Sequence, residues 1–354
     1  MISTMKKLSL LFVLMLAVVL GAQAQTKPRI VIIATGGTIA GAAETSTSGG
    51  YTAGVATVDQ LIAAVPQLTD LADIKGIQIS NIGSQEMNDN VWLALAKEIN
   101  KVFAAGNCDG IVITHGTDTM EETSYFLNLT VKSDKPVVLV GSMRPSTALS
   151  ADGPLNLFKA VALASNPQAV GKGVMVLMND YILGADDITK TNTTNVDAFK
   201  CPNYGPMGVM YESTPFFSRN QIRRHTTQSE FDVTNLTKLP VVDILYGYAN
   251  ASPLPAEALV KAKVDGIVHA GVGNGNIYPA VMDVLDKGVK QGIQVVRSSR
   301  IQTGMVPRNG EVNDDEHGYV ASYFLGSPKS RVLLMLALTK TKDTKEIQRM
   351  FMEY

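Results

Sequence analysis

Short β-branched runs alternate along this chain with segments whose apolar positions recur at helical spacing. Residues 29–34 (RIVIIA), 110–113 (GIVI), 137–140 (VVLV) and 174–178 (VMVLM) are apolar nearly throughout, and 77–82 (IQISNI) has apolar residues at every second or third position. A short run apolar on both faces reads as a buried strand of a parallel sheet. Helix signals fall between these runs. Asn88-Asp89 stands as a cap before Trp92, Leu95, Ile99, Val102 and Phe103, which share one helical face. Asp152-Gly153-Pro154 opens another helix, with proline in its first turn. This alternation predicts an α/β protein with a doubly wound, flavodoxin-like sheet.

The rhythm breaks over 211–240, which is polar and rich in Thr, Ser and Asn, and resumes with strands at 241–245, 266–269 and 294–296 and a final helix at 331–338. The expected organisation is therefore a larger N-terminal α/β catalytic domain (25–218), an inter-domain linker (219–240) and a smaller C-terminal α/β domain (241–354). DGIVITHGTDT (109–119) and DGIVHAGVGNG (265–275) open alike, which suggests similar α/β units in the two halves. Residues 41–58, mostly Gly, Ala, Ser and Thr with the single aromatic Tyr51, form a long loop of the kind that serves as a lid. Residues 303–318 carry Glu311, Asp314, Asp315 and Glu316 and read as a solvated surface loop.

The 354 residues are 45% hydrophobic and 18% charged, which suits a globular protein of about two domains. A net charge of -1 and the lack of a basic patch argue against nucleic acid as a partner. The N-terminus changes the picture. Lys6 and Lys7 precede the apolar run 8–20, and Ala22-Gln23-Ala24 follows with small residues at the positions a signal peptidase reads. The expectation is a signal peptide over 1–24, a periplasmic destination and no membrane anchorage after cleavage. An exported protein can pair its cysteines, here Cys108 and Cys201, but spacing alone does not show that they meet. No HExxH or Cys/His cluster suggests zinc.

In an open α/β sheet the ligand crevice lies beyond the C-terminal strand ends. Two such ends are unusual, Thr35-Gly36-Gly37-Thr38 and Thr114 to Thr119. TGGTIAG lacks the second Gly of a dinucleotide fingerprint and the Gly-Lys-Ser/Thr of a P-loop. Its glycines instead allow a tight turn that presents Thr38, hydroxyl and N–H together, as a nucleophile beside an oxyanion donor. A threonine nucleophile needs a base. His115 is one candidate, although strand alternation turns it away from Thr114 and Gly116. Lys190, in the hydroxyl-rich DDITKTNTTN (186–195), is the other, if burial or a neighbouring cation keeps it neutral. Asp118 either caps the following helix or faces the crevice, where it would hold an ammonium or orient Lys190.

IIATGGTIA (32–40) and GIVITHGTDTM (110–120) resemble the two signature motifs of bacterial L-asparaginases. So do NIGSQEMNDNVW (81–92), VGSMRPSTALSADGP (140–154), TKTNTTNV (189–196), NYGPMG (203–208), AGVGNGN (270–276) and VVRSSR (295–300). The resemblance runs over nearly the whole chain after residue 24 and, with the leader, points to the exported type II members. It implies hydrolysis of L-asparagine to L-aspartate and ammonia through an acyl-threonine, with minor glutaminase activity. Thr38 would be the nucleophile, with Tyr51 hydrogen-bonded to it. Thr117, Lys190 and Asp118 would form a second reactive set. Ser84, Gln85 and Asp118 would hold the substrate's α-carboxylate and α-amino group. Asn276 and Glu311 would reach the site from a neighbouring subunit of a homotetramer. Asn276 resembles the asparagine-preferring members and Ser142 the glutaminase-leaning ones. No cofactor or metal is implied. The resemblance fails at Ser133, where many exported relatives have a disulfide cysteine, so that bridge is not expected here. A rival reading, a periplasmic amino-acid binding protein, shares the leader and the two α/β domains but has no use for a paired Thr-Lys-Asp set.

Overall fold

The computed structural model describes residues 27–41, 45, 46, 52 and 54–354. The expected leader and half of the 41–58 loop, Tyr51 included, lie outside them. The strands are β1 (Arg29–Gly36), β2 (Asp73–Ile82), β3 (Gly110–Thr114), β4 (Val137–Val140), β5 (Val174–Met178), β6 (Tyr181–Gly184), β7 (Thr189–Lys190), β8 (Phe199–Lys200), β9 (Gly208–Tyr211), β10 (Thr214–Phe217), β11 (Val242–Tyr246), β12 (Gly266–Gly271), β13 (Gln294–Ser299) and β14 (Val320–Ala321). The helices are α1 (Val58–Ala63), α2 (Leu68–Leu71), α3 (Asp89–Ala104), α4 (Met120–Thr130), α5 (Gly153–Ala164), α6 (Leu254–Ala262), α7 (Pro279–Lys290), α8 (Asp314–His317), α9 (Ser327–Leu338) and α10 (Thr344–Glu353). No described helix is long and apolar enough to cross a membrane.

Eight strands form the larger sheet in the order β10-β9-β6-β5-β4-β3-β1-β2. Its first five strands in sequence are parallel, and β6, β9 and β10 complete it antiparallel. The smaller sheet, β11-β12-β13-β14, is parallel throughout. Strand β1 shows why the runs read as buried on both faces. Val31 and Ile33 enter the apolar cluster with Trp92 and Leu95 of α3, while Ile30, Ile32 and Ala34 enter the opposite one with Leu157 and Val161 of α5. The two DGIV openings have a common cause. A Cβ at Gly110 would lie 2.4 Å from the Ala164 carbonyl oxygen, and one at Gly266 would lie 2.6 Å from the Leu334 side chain. Both strands start where a helix presses close.

The polar stretch 211–240 contains β10, which pairs with β9 at the sheet edge, and part of the remainder is packed against the C-terminal residues. Phe231 and Val233 are buried, Phe231 meets the Tyr354 ring at 5.0 Å, and Arg223 donates to the Met352 and Tyr354 carbonyls. One expectation needs correction: 331–338 is not the last helix. It begins at Ser327, and α10 follows, capped by Asp343. Only the narrow stripe Ile347, Met350 and Phe351 of α10 is apolar and buried, which hides it in a polar stretch. One continuous cluster joins the halves: Val242, Val268, Val296 and Val332 of the smaller sheet and α9 pack with Tyr125, Phe126 and Leu129 of α4.

Candidate active site

Strands β2, β1 and β3 are neighbours, and the chain runs from β1 to one side for β2 and to the other for β3. That reversal makes the β1/β3 boundary the switch point, where a crevice opens beyond the strand ends. The loops after these strands carry Ser84, Thr38 and Thr117. Glycine lets them stack. Gly37 has φ 84° and ψ -172°, a conformation essentially confined to glycine. Its N–H donates to the Ile82 carbonyl at 3.0 Å, and a Cβ there would lie 2.3 Å from the Gly116 nitrogen. A Cβ at Gly116 would in turn lie 2.6 Å from Ser84 Oγ. Thr38 and Thr117 flank this contact, and both are almost wholly buried.

Lys190 reaches the same place from β7. Its Nζ donates to Thr117 Oγ1 at 2.9 Å and to Asp118 Oδ1 at 2.6 Å. Lys190 is largely buried, whereas the Asp118 side chain is 59% exposed and so faces the opening. Asp118 therefore does not cap the next helix. Its own N–H donates to Ser84 Oγ at 3.1 Å, and Thr119 Oγ1 donates to the Ser84 carbonyl at 2.8 Å. A hydroxyl that accepts in this way can still donate its proton. Gln85 is exposed beside it.

His115 is no part of this set. It is fully buried, its Nδ1 lies 2.6 Å from the Gly116 carbonyl oxygen, and Nε2 has no partner. Burial pushes its pKa down to about 4. Of the two candidate bases, Lys190 alone touches the hydroxyl of a candidate threonine, Thr117. Ser142 is also wholly buried, with its hydroxyl donated to the Arg144 carbonyl.

Asn276 and Glu311 meet each other through Asn276 Nδ2 and Glu311 Oε2. No hydrogen bond among the described residues joins either to Thr117, Asp118 or Lys190. The 303–318 stretch is not simply solvated. Asp314 is fully buried in a two-pronged pair with Arg297, at 2.7 Å to Nε and 2.6 Å to Nη2. Arg297 also donates to the carbonyls of Asn274 and Pro307, tying together the two turns that carry Asn276 and Glu311. Sequence reasoning missed this hub, although an arginine within the apolar run QVVRSS was a signal. Cys108 and Cys201 are free, buried thiols. Burial raises both pKa values, that of Cys201 to about 12.

Fold and site together define a class: two-domain α/β proteins that gather paired threonines, a lysine and a carboxylate at the switch point of the larger sheet. Within that class the sequence matches one family over both domains. Residues 29–223 match the family model described as Asparaginase, N-terminal, and 241–351 that of the Glutaminase/Asparaginase C-terminal domain. The chain belongs to the asparaginase family. It is 56% identical to L-asparaginase 2 of Escherichia coli strain K12, over 92% of this chain and 93% of that protein. It is 53% identical to the probable periplasmic L-asparaginase of Haemophilus influenzae, over 94% and 95%. The crystal structure of a probable cytoplasmic L-asparaginase from Campylobacter jejuni superposes with a TM-score of 0.90 at 54% identity, covering 93% of this chain and all of that one.

Proposed function

We infer that this chain is an L-asparaginase, hydrolysing the side-chain amide of L-asparagine to L-aspartate and ammonia, with minor turnover of L-glutamine. The observation that carries the reading is the Lys190–Thr117–Asp118 contact at the switch point where Thr38 also lies. Thr38 Oγ attacks the amide carbon, and its proton leaves with the nitrogen as ammonia. Tyr51 is the residue proposed to hydrogen-bond Thr38. Water then attacks the Thr38 ester and gives a proton to the Thr117–Lys190 pair; the C–Oγ bond breaks, the proton passes on to Thr38 Oγ, and aspartate is released. The N–H groups of Thr38 and Thr117 face the developing oxyanion, each donor contributing about 2.7–4 kcal/mol. Ser84 and Gln85 hold the α-carboxylate and α-amino group, and the exposed Asp118 carboxylate meets the ammonium. Glutamine is longer by one methylene, which discriminates by only about 1–3 kcal/mol.

The same reading takes 25–218 as the catalytic domain, 219–240 as the linker and 241–354 as the second domain. Asn276 and Glu311 complete a neighbouring subunit's site in a homotetramer, a role their contact with each other supports by holding the two side chains together. The leader-like 1–24 segment supports a periplasmic location over the cytoplasmic one named for the Campylobacter protein. Purified, folded Thr38→Ala should release almost no ammonia from asparagine, and wild-type turnover would sink the assignment. A binding protein, by contrast, would return asparagine unchanged.

A further inference from the structure

Lys329 lies outside the residues assigned to the reaction. It is the third residue of α9, in the C-terminal domain, and is only 5% exposed. A buried ammonium is costly unless its protons are well placed. Here Nζ donates to the Ile188 carbonyl at 2.5 Å and lies 3.4 Å from Thr189 Oγ1 and 3.9 Å from Glu121 Oε2. All three partners border the reactive groups. Ile188 and Thr189 immediately precede Lys190, and Glu121 comes three residues after Asp118. Glu121 Oε2 is buried without a hydrogen-bond partner, so the Lys329 ammonium is the cation it faces.

The strand that presents Lys190 is held on one side by Ile188, buried in the core with its N–H on the Gly184 carbonyl, and on the other by Thr191, whose N–H and hydroxyl both donate to the Ala198 carbonyl. Strand β7 is two residues long, pairs only with the two of β8, and stands apart from the eight-stranded sheet. With only two ladder pairs, the Ile188 carbonyl and Thr189 Oγ1 remain for a partner from the other domain, and any displacement of residues 188–189 would carry the 2.9 Å contact between Lys190 Nζ and Thr117 Oγ1 with it. We propose that Lys329 is a positioning residue for the amide hydrolysis. Its ammonium binds the backbone that carries Lys190 to the helix that continues from Thr117 and Asp118, and so sets their separation from the other domain. The proposal rests on Lys190 being the proton acceptor.

The test uses three full-length variants. Lys329→Met should lower kcat by at least about tenfold with KM within about threefold, because the proposed substrate-holding residues Ser84 and Gln85 lie on loops that Lys329 does not touch, and Asp118 stays tied to Ser84 through its own N–H and through Thr119. Lys329→Met also strands the Glu121 carboxylate, so Glu121→Gln/Lys329→Met is made alongside it. The double variant should recover the thermal midpoint but not kcat. Wild-type kcat in Lys329→Met, or kcat that returns with the midpoint in the double variant, overturns the proposal and leaves an ordinary stabilising pair. Lys190→Met separates the two readings. If inactive beside a fully active Lys329→Met, it overturns only the role of Lys329. If it turns over normally, the assignment of Lys190 falls and the proposal with it.

Discussion

Alanine at Gly37 tests whether the two threonine loops are held together by a glycine contact. The new methyl would lie 2.3 Å from the Gly116 nitrogen, 2.4 Å from its Cα and 2.8 Å from the His115 carbonyl carbon. Non-bonded carbon atoms meet at about 3.5–4.0 Å, so the shortfall exceeds about 1 Å. Every atom in the way is backbone, and none can swing aside as a side chain would. The conformation, φ 84° and ψ -172°, adds about 1–3 kcal/mol of strain for a residue with a Cβ. Crowding adds about 1–3 kcal/mol more, for a total of about 2–6 kcal/mol. To relieve the clash the β1 loop must withdraw from the β3 loop, moving Thr38 away from Thr117. A misplacement of about 1 Å costs roughly a hundredfold in rate. Gly171→Ala is the control. Gly171 also has positive φ, 72°, but a Cβ there meets nothing within 4 Å, so it should lose stability while keeping kcat. The assay is kcat for ammonia release beside the urea midpoint. A Gly37→Ala enzyme within about threefold of wild-type kcat would refute the account.

Three further outcomes follow from buried groups. Burial holds the His115 pKa at about 4 in the folded chain against about 6.5 unfolded, so the unfolded state binds more protons between those values. Stability from this group is complete above pH 6.5 and falls by about 2–3 kcal/mol by pH 4.5. Comparing urea midpoints with His115→Gln isolates it from Glu122, which burial pushes up to about 6 and which acts in the opposite sense. Parallel pH profiles for the two proteins would contradict the assignment. Arg297→Met leaves Asp314 buried without its cation and should cost about 3–5 kcal/mol in denaturant unfolding, and a loss below about 1 kcal/mol would show the pair to be dispensable. Neither cysteine should react with a thiol reagent in the native protein and both should react once it is unfolded, with the thermal midpoint insensitive to reductant. Two thiols missing after unfolding would reveal a disulfide.

Legibility followed burial and distance along the chain. Runs 137–140 and 174–178 coincide with β4 and β5 because every residue in them is buried, so hydrophobicity alone marks their ends. Strand β2 starts at Asp73, four residues before the apolar pattern at Ile77. It is the sheet's edge, and its exposed positions erase the signal there. The two-residue strands β7 and β8 exist through tertiary contact and have no local signature. At the site, two glycines before a threonine at a strand end pointed to Thr38, since such a loop needs backbone freedom, whereas the role of Thr117 came from the family resemblance. The choice between His115 and Lys190 could not be made locally. It depends on residue 190 folding back over more than seventy positions to Thr117.

The same reasoning explains why the second domain is more than a support for the first. Helix α9 buries Val332, Leu333 and Leu336 in the cluster that also takes Tyr125 and Phe126 of α4. Helix α4 begins two residues after Asp118. Side chains near the start of α9 therefore come to lie beside the helix that follows Thr117 and Asp118: Lys329 faces Glu121 at 3.9 Å, and Arg331 faces Glu122 at 3.8 Å. Apolar packing fixes the distance between the domains, and the charged pairs fix the rotation of one helix against the other, because a turn of α9 would strand Lys329 and Glu121 together. The geometry around Thr117 and Lys190 is thus a property of both domains. An isolated N-terminal domain, even if it folded, would lack the helix that completes it.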